Sequence, residues 1–371
     1  MGGAVLSPLM AWLAPLGFAA LLALMGLLSL PAVRVGKGDR LALGLLAALV
    51  GWAAVSTVWS PVRATEPEDN TALKLILQLP LYWAAICGAR RADPVLRSRA
   101  LRILSWGFAA YGAILLFEAF TGAAAYSAVR AAIGDPVEFP YARKNLAQGI
   151  FALALLWPVV AAAGARAGAP AWLTLPMAVG VAIPAHLFLA DAPVLAVGLA
   201  LAVATLVGIW PTAAPKALGL FAAALVVLMP VAALILQKLA LGTALPLSWA
   251  LRTGYWTYAA GRIGEHPWRG WGLDASRAFT PHIQLHPHNG PLQVWLELGV
   301  LGAILAALFW AAAFRAQASR ARNLLTAACV ASGAVYLFFG LISFGTWQEW
   351  WLALGALIAV VMAAAPERKA A

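Results

Sequence analysis

Three of the chain's five histidines fall within seven residues, in the stretch HIQLHPHNGPLQVWLELGVLG at positions 282–302. His282, His286 and His288 stand just ahead of Asn289-Gly290-Pro291, and a long apolar run follows. Asn or Gly can cap a helix and Pro is well tolerated in its first turn, so a helix is predicted from this point. The N-terminus of such a helix carries free N–H groups and partial positive charge, a seat for a phosphate or diphosphate. His288, one residue before the cap, belongs at that seat. Gln293 and Glu297 follow Asn289 at steps of four and share one helix face. At 1.5 Å per residue, Glu297 lies roughly 9–12 Å into the helix, where a carboxylate must pair, protonate or face a wet cavity. Gly299, Gly302, Ala303 and Ala306 offer small surfaces for close helix packing.

Three chemistries fit these residues. The histidines can be plain polar residues at a membrane interface. His282, His286 and His288 can surround a zinc ion, although no cysteine or firm carboxylate partner completes the set. Alternatively, a histidine can act as a general base beside an anion-binding helix end, with arginines supplied by the preceding loop. Spacing alone leaves all three open.

The elements that must position these residues are transmembrane helices. Of 371 residues, 63% are hydrophobic and only 11% charged, far below the roughly 25% of soluble domains. The reading is all-α: a single integral domain, 1–371, of polytopic membrane type. Eleven spans of bilayer length are expected, at about 10–31, 41–60, 72–89, 103–122, 149–165, 170–189, 193–211, 217–240, 291–313, 324–343 and 350–365. A different split around 150–211 makes twelve. Arg34, Lys37, Arg40, Arg90, Arg91, Arg97, Arg99, Arg102, Arg166, Lys216, Arg315, Arg320, Arg322, Arg368 and Lys369 then share one side. The excess of positive charge assigns that side to the cytoplasm, with the C-terminus inside and the N-terminus outside. The first span lacks a basic leader and is too long for a cleaved signal peptide. The net charge of +11 is explained by these loops facing anionic lipid, not by nucleic acid. Cys87 and Cys329 fall inside spans and are expected as free thiols.

Two segments on the extracytoplasmic side exceed a simple connector: 123–148, and the main loop 241–290. A loop of that length beside otherwise short ones is usually functional. Within it, Tyr255, Trp256, Ala259 and Ile263 repeat at helical spacing over 247–264, flanked by Arg252 and Arg262, as in a helix lying along the membrane surface. Pro267, Gly270 and Gly272 then end the helix. An anchoring role explains the aromatics, but it explains two outside-facing arginines less well.

These residues also carry a resemblance. HPHNGPLQVWLELGVLG resembles the His-Asn, nine residues, Gly-x-x-Gly signature of the O-antigen ligase and O-antigen polymerase superfamily, on His288-Asn289 and Gly299–Gly302. Upstream, Arg252, Trp256, His266, Pro267, Gly270 and Gly272 are similar to its Arg-x-x-x-Trp and His-Pro-x-x-Gly-x-Gly segment, and ARKNLAQG at 142–149 to its Lys-Asn-x-x-Ala segment. The matches come in family order and span most of the chain. One departure stands out: where the family often carries Ser-Arg, this chain reads LADAPVLAVG, with Asp191 and no arginine.

The resemblance implies a helical bundle of the GT-C-like, lipid-linked-sugar type in the bacterial inner membrane, with its site facing the periplasm. It implies a glycan donor on undecaprenyl diphosphate and no metal or cofactor. The acceptor is a sugar hydroxyl of lipid A-core for a ligase, or a second lipid-linked repeat for a polymerase. His288 takes the place of the catalytic histidine, and Arg252 and Arg143 those of arginines that hold the diphosphate. A diphosphate leaving group needs charge neutralisation, which Arg252, Arg143 and the helix end at Asn289 can supply. The acceptor hydroxyl must lose a proton, and neutral His288 suits that task in an inverting, one-step displacement. Arg262, His286, Glu297, Glu265 and Asp191 are candidates for supporting roles. A lipid-linked sugar transporter is the rival class, and it predicts ionisable residues or broken helices at mid-membrane in several spans. Here the unusual polar residues gather at helix entrances and in loops, and the main loop favours a ligase.

Overall fold

The computed structural model describes residues 1–240 and 247–366. Residues 241–246, at the start of the main loop, and Arg368 and Lys369 lie outside the described residues. Among the described residues the chain is helical with no strand: α1 Gly2–Leu13, α2 Phe18–Leu28, α3 Arg40–Ser56, α4 Thr71–Arg91, α5 Pro94–Thr121, α6 Ala124–Ala132, α7 Phe139–Arg166, α8 Thr174–Leu187, α9 Asp191–Ile209, α10 Ala213–Ala240, α11 Leu247–Ile263, α12 Gly290–Arg315, α13 Leu324–Ile342 and α14 Glu349–Ala364. Seven of them, α4, α5, α7, α9, α10, α12 and α13, are long and apolar enough to cross a membrane, and α3, α8 and α14 are shorter apolar helices at expected spans.

The expected first span, 10–31, takes a different form. Pro15 removes a backbone donor and forces its predecessor out of helical geometry, and Ala14 lies at φ −152°, ψ 65°. The chain turns back there: Gly17 faces Met10 and Gly3 faces Met25, so α1 and α2 form an antiparallel hairpin.

At the centre stands α7, nearly continuously buried from Gly149 to Gly164 and surrounded by α1, α5, α8, α13 and α14. Small residues permit the closest crossings. A Cβ on Gly180 would run into the backbone of Gly112, so α8 and α5 meet main chain to main chain. A second layer joins α10, α12 and α3, with α11 packed on α10 and α12. The segment 123–148, expected to exceed a simple connector, forms α6, a turn, and the first ten residues of α7. Its α6 starts on the buried carboxylate of Glu118, which accepts from Tyr126 N at 2.7 Å and Trp12 Nε1 at 3.0 Å. At the opposite end of the bundle Asp39 pairs with Arg90, Arg166 with Asn323, and Thr212 with the Ser319 carbonyl. Those contacts gather the loops expected in the cytoplasm.

Candidate functional site

The site is built on a break in α12. Gly299 takes φ 64°, ψ −161°, which interrupts the helix three turns from its start and frees carbonyls that would otherwise bond within it. The HPWRGWG segment fills the gap: Trp271 N donates to Leu296 O, Gly272 N to Glu297 O, and Val300 N to Pro267 O, all at 2.8 Å. Trp52 Nε1 of α3 donates to Leu298 O at 2.9 Å. The sequence reading treated Gly299 as a helix-packing surface; it is the hinge that admits the loop.

Asn289 caps α12 as expected, its Oδ1 accepting from Leu292 N at 3.0 Å. Asn289 and Gly290 are both buried, so the helix end lies beneath the loop and not bare at the surface. The cover is the connection between α13 and α14, SFGTWQ at 343–348. Thr346 N donates to Gln293 Oε1 at 2.8 Å and Thr346 Oγ1 to Gly290 O at 3.1 Å. A Cβ on Gly345 would come within 2.9 Å of the His286 ring. Glu297, fully buried, accepts from Ser276 Oγ at 2.7 Å, Gln293 Nε2 at 3.1 Å, Trp347 Nε1 at 2.6 Å and Asp274 N at 3.1 Å. It thus pins the loop at Asp274 and Ser276 and the 343–348 connection to α12, and among the described residues it makes no hydrogen bond to His288.

His288 is half-buried in the left-handed region at φ 54°. Its Nδ1 lies 3.0 Å from the carbonyl of Ser343. A carbonyl only accepts, so Nδ1 carries the proton and Nε2 is left with a lone pair. The backbone N–H of His288 donates to His286 Nδ1 at 3.1 Å, which puts the His286 proton on Nε2, where the Gln348 amide, 3.1 Å away, must turn its oxygen rather than its nitrogen to accept it. Burial lowers the pKa of His288, with Arg252 acting in the same direction and the Ser343 bond opposing. His286 is driven down to about 3, first by burial, then by His288 and Arg277. Both rings are therefore neutral near pH 7.

Arg252 lies on α11 within electrostatic reach of His288, three residues before Tyr255, whose ring stacks on His288 with centroids 6.0 Å apart. Trp256, on the next position, donates Nε1 to Pro287 O at 3.0 Å and so fixes α11 against the histidine loop. Among the described residues Arg252 bonds the Ser248 carbonyl of its own helix at 3.3 Å and lies over the Trp249 ring, 5.7 Å from its centroid, and burial lowers its pKa. Arg262 is engaged elsewhere: it pairs with Glu265 at 2.7 Å and lies over the rings of Trp271 and Phe279. Glu265 is thereby spent on Arg262 and does not orient His288. Arg143, on the outer turns of α7, is half-buried and makes no side-chain hydrogen bond or ion pair among the described residues. Asp191 is exposed at the start of α9, where it complements the helix dipole. His282 stacks on Tyr258 at 4.5 Å, and among the described residues no group of three His, Cys, Asp or Glu side chains is placed to hold a metal ion. Ser343, Thr346, Trp347 and Gln348 escaped the sequence reading; the signal available was a polar interruption between two oily spans, SFGTWQE.

An apolar cleft of about 680 Å³ runs from the Asp39–Arg90 pair up between α3, α4, α12, α13 and α14. Leu43, Leu75, Trp310 and Tyr336 line it, and it ends at Gly290 and Thr346, directly under the histidine loop.

The fold and site together define a multi-pass helical membrane protein with a histidine-centred site at one end of its bundle. Residues 151–307 match the family model for O-antigen ligase. Proteins of Rickettsia conorii, Rickettsia felis and Rickettsia prowazekii, named as proposed polysaccharide ligases, are 32%, 30% and 31% identical over 131, 128 and 128 residues. Each alignment covers 30% of this chain and 31% of the relative, so it spans less than a third of those proteins. No solved structure matches the chain.

Proposed function

We propose that the protein transfers a glycan from undecaprenyl diphosphate to a sugar hydroxyl of lipid A-core at the periplasmic face of the bacterial inner membrane. The observation that carries this reading is the His288–Ser343 contact, which leaves Nε2 unprotonated and facing away from its anchor. In the reaction the acceptor hydroxyl gives its proton to His288 Nε2 as its oxygen bonds the anomeric carbon. The bond from that carbon to the diphosphate oxygen breaks at the same time, and the lipid diphosphate leaves with the electron pair. Attack from the opposite side inverts the centre. Arg252, the free cation nearest His288 on α11, neutralises the diphosphate, with Arg143 as a second contact reached when substrate bridges the gap. The polyprenyl chain occupies the apolar cleft, whose upper end at Gly290 would bring the diphosphate to the base. Every step uses side chains of this protein and proceeds without a metal.

The test uses purified protein and a His288→Ala variant of matched thermal stability, with undecaprenyl-diphosphate-linked glycan, lipid A-core and EDTA. Wild type should shift lipid A-core to a glycosylated band and the variant should not. Lengthening of the lipid-linked chains with lipid A-core untouched would make the protein a polymerase. Equal transfer by the variant would remove His288 from the mechanism.

A further inference from the structure

A second concavity, of about 530 Å³, opens between the end of α10 and α11, with Tyr255 in its wall. Its walls combine two kinds of group. Tyr255, Tyr258 and His282 present flat rings, and Gln237, Thr253 and Thr257 present amide and hydroxyl groups. Tyr258 and His282 are stacked, 4.5 Å between centroids and 14° between planes, so the flat wall is already organised. The Thr257 hydroxyl is buried with no partner among the described residues. Between the rings the wall is open, because a Cβ on Gly254 would meet nothing within 4 Å.

Its position is as informative as its lining. The 28 residues of α10 measure about 42 Å at 1.5 Å per residue, longer than the roughly 30 Å of hydrocarbon, and Gln237 lies in its last turn. The neighbouring α11 leaves Leu247, Trp249 and Leu251 exposed. Through Tyr255 the cleft is one ring away from His288. Its volume falls within the roughly 300–1,000 Å³ of sites for small organic ligands.

We propose that this cleft is a glycan subsite, holding a pyranose ring that flanks the one reacting at His288. The inference rests on the glycan-transfer reading above. A pyranose has apolar C–H faces and a rim of hydroxyls, and it needs flat aromatic walls edged by donors and acceptors; this cleft supplies both. The ring comes from the donor glycan or from the acceptor core, and the two sources are separated by measuring each.

Tyr258→Ala, Tyr258→Phe and Gly254→Leu are made in the full chain, and each must unfold at the wild-type temperature. KM and kcat are then measured separately for the lipid-linked glycan and for lipid A-core. Tyr258→Ala should raise one KM about five- to tenfold with kcat within about twofold, Tyr258→Phe should restore it, and Gly254→Leu should match Tyr258→Ala. The substrate whose KM moves supplies the ring. Wild-type KM values for both substrates in all variants would overturn the subsite while leaving transfer intact. If wild type transfers nothing, the transfer reading has failed, and the cleft is tested with O-antigen oligosaccharide released by mild acid. Tryptophan fluorescence that responds to it in wild type but not in Gly254→Leu supports the subsite; no response in wild type overturns it.

Discussion

A methyl group on Gly270 would sit 2.6 Å from the backbone nitrogen of Gly299, and one on Gly299 would sit 2.6 Å from the backbone nitrogen of Gly270. The two glycines, twenty-nine positions apart in the chain, are in backbone contact, and both lie at positive φ. That contact explains why glycines stand at both places. The loop's HPWRGWG turn can enter the break in α12 only where neither side carries a Cβ. The break frees Leu296 and Glu297 carbonyls, the loop supplies Trp271 and Gly272 N–H groups, and the histidine stretch is thereby held over the helix end.

Gly299→Ala should therefore destabilise the protein twice over. Left-handed geometry costs a non-glycine residue about 1–2 kcal/mol, and the clash with Trp268 O and Gly270 N adds about 1–3 kcal/mol of overpacking. Gly340→Ala, in α13, is the matched comparison, since its added carbon meets nothing within 4 Å. Thermal unfolding in detergent should show the larger loss for Gly299→Ala. Equal melting temperatures would mean the break is not a structural requirement.

Glu297 is expected to act on stability before it acts on rate. Its carboxylate accepts four hydrogen bonds from Ser276, Gln293, Trp347 and Asp274. Glu297→Ala leaves the Gln293, Trp347 and Asp274 donors without an acceptor in a dry site, while Ser276 keeps the Leu285 carbonyl at 3.0 Å, a loss of about 3–5 kcal/mol. Glu297→Gln keeps the shape but turns one end into a donor facing donors, so it recovers only part of that loss. Unfolding midpoints ordered wild type, Gln, Ala are the expected result. Variants that keep the wild-type midpoint but lose turnover would instead make Glu297 part of the chemistry.

How much of this was legible in the sequence follows from what periodicity and caps encode. Ten expected spans correspond to helices, and the Asn289 cap and the helix at 247–264 were readable because propensity, capping and apolar runs are local signals. The hairpin at Ala14-Pro15 was misread because two short apolar helices and one long span have the same hydropathy. Gly299 was misread because a glycine in an oily helix serves packing or breaking alike, and only the partner, Gly270, decides. The contacts of Ser343, Thr346, Trp347 and Gln348 depend on loops nearly sixty residues apart, for which no spacing rule exists. Arg262 and Glu265 were charged residues near the site whose partners turned out to be each other.

Stability should fall on acidification through His286. Its folded pKa, about 3, lies below the ordinary 6.5, so the folded state keeps the ring neutral while the unfolded chain takes up a proton. The ring's contribution is fully present above pH 6.5 and is lost progressively as the pH drops towards 3, a change on the order of 4 kcal/mol. His286→Gln retains an acceptor for the His288 N–H and removes the titration. Melting temperatures measured between pH 7 and 4 should drop steeply for wild type and more gently for the variant. Parallel curves would show that His286 does not titrate in this range.

The last expectation concerns rate and joins His288 to Arg252. A base must be unprotonated, and burial together with the Arg252 charge holds His288 below its ordinary pKa, against the opposing Ser343 bond. The acid limb of kcat/KM should therefore lie below pH 6.5, leaving the enzyme at full base availability at neutrality. Removing the charge in Arg252→Gln takes away one of the two depressing influences, so the limb should move up towards 6.5. The same substitution removes the proposed diphosphate contact and should then raise the donor KM by about tenfold or more, the loss of one charge-assisted hydrogen bond of about 1.5–3 kcal/mol. A change in KM with an unmoved limb would separate Arg252 from the base and leave it as a phosphate contact alone. A moved limb with an unchanged donor KM would make it an electrostatic tuner of His288 and return the diphosphate to Arg143.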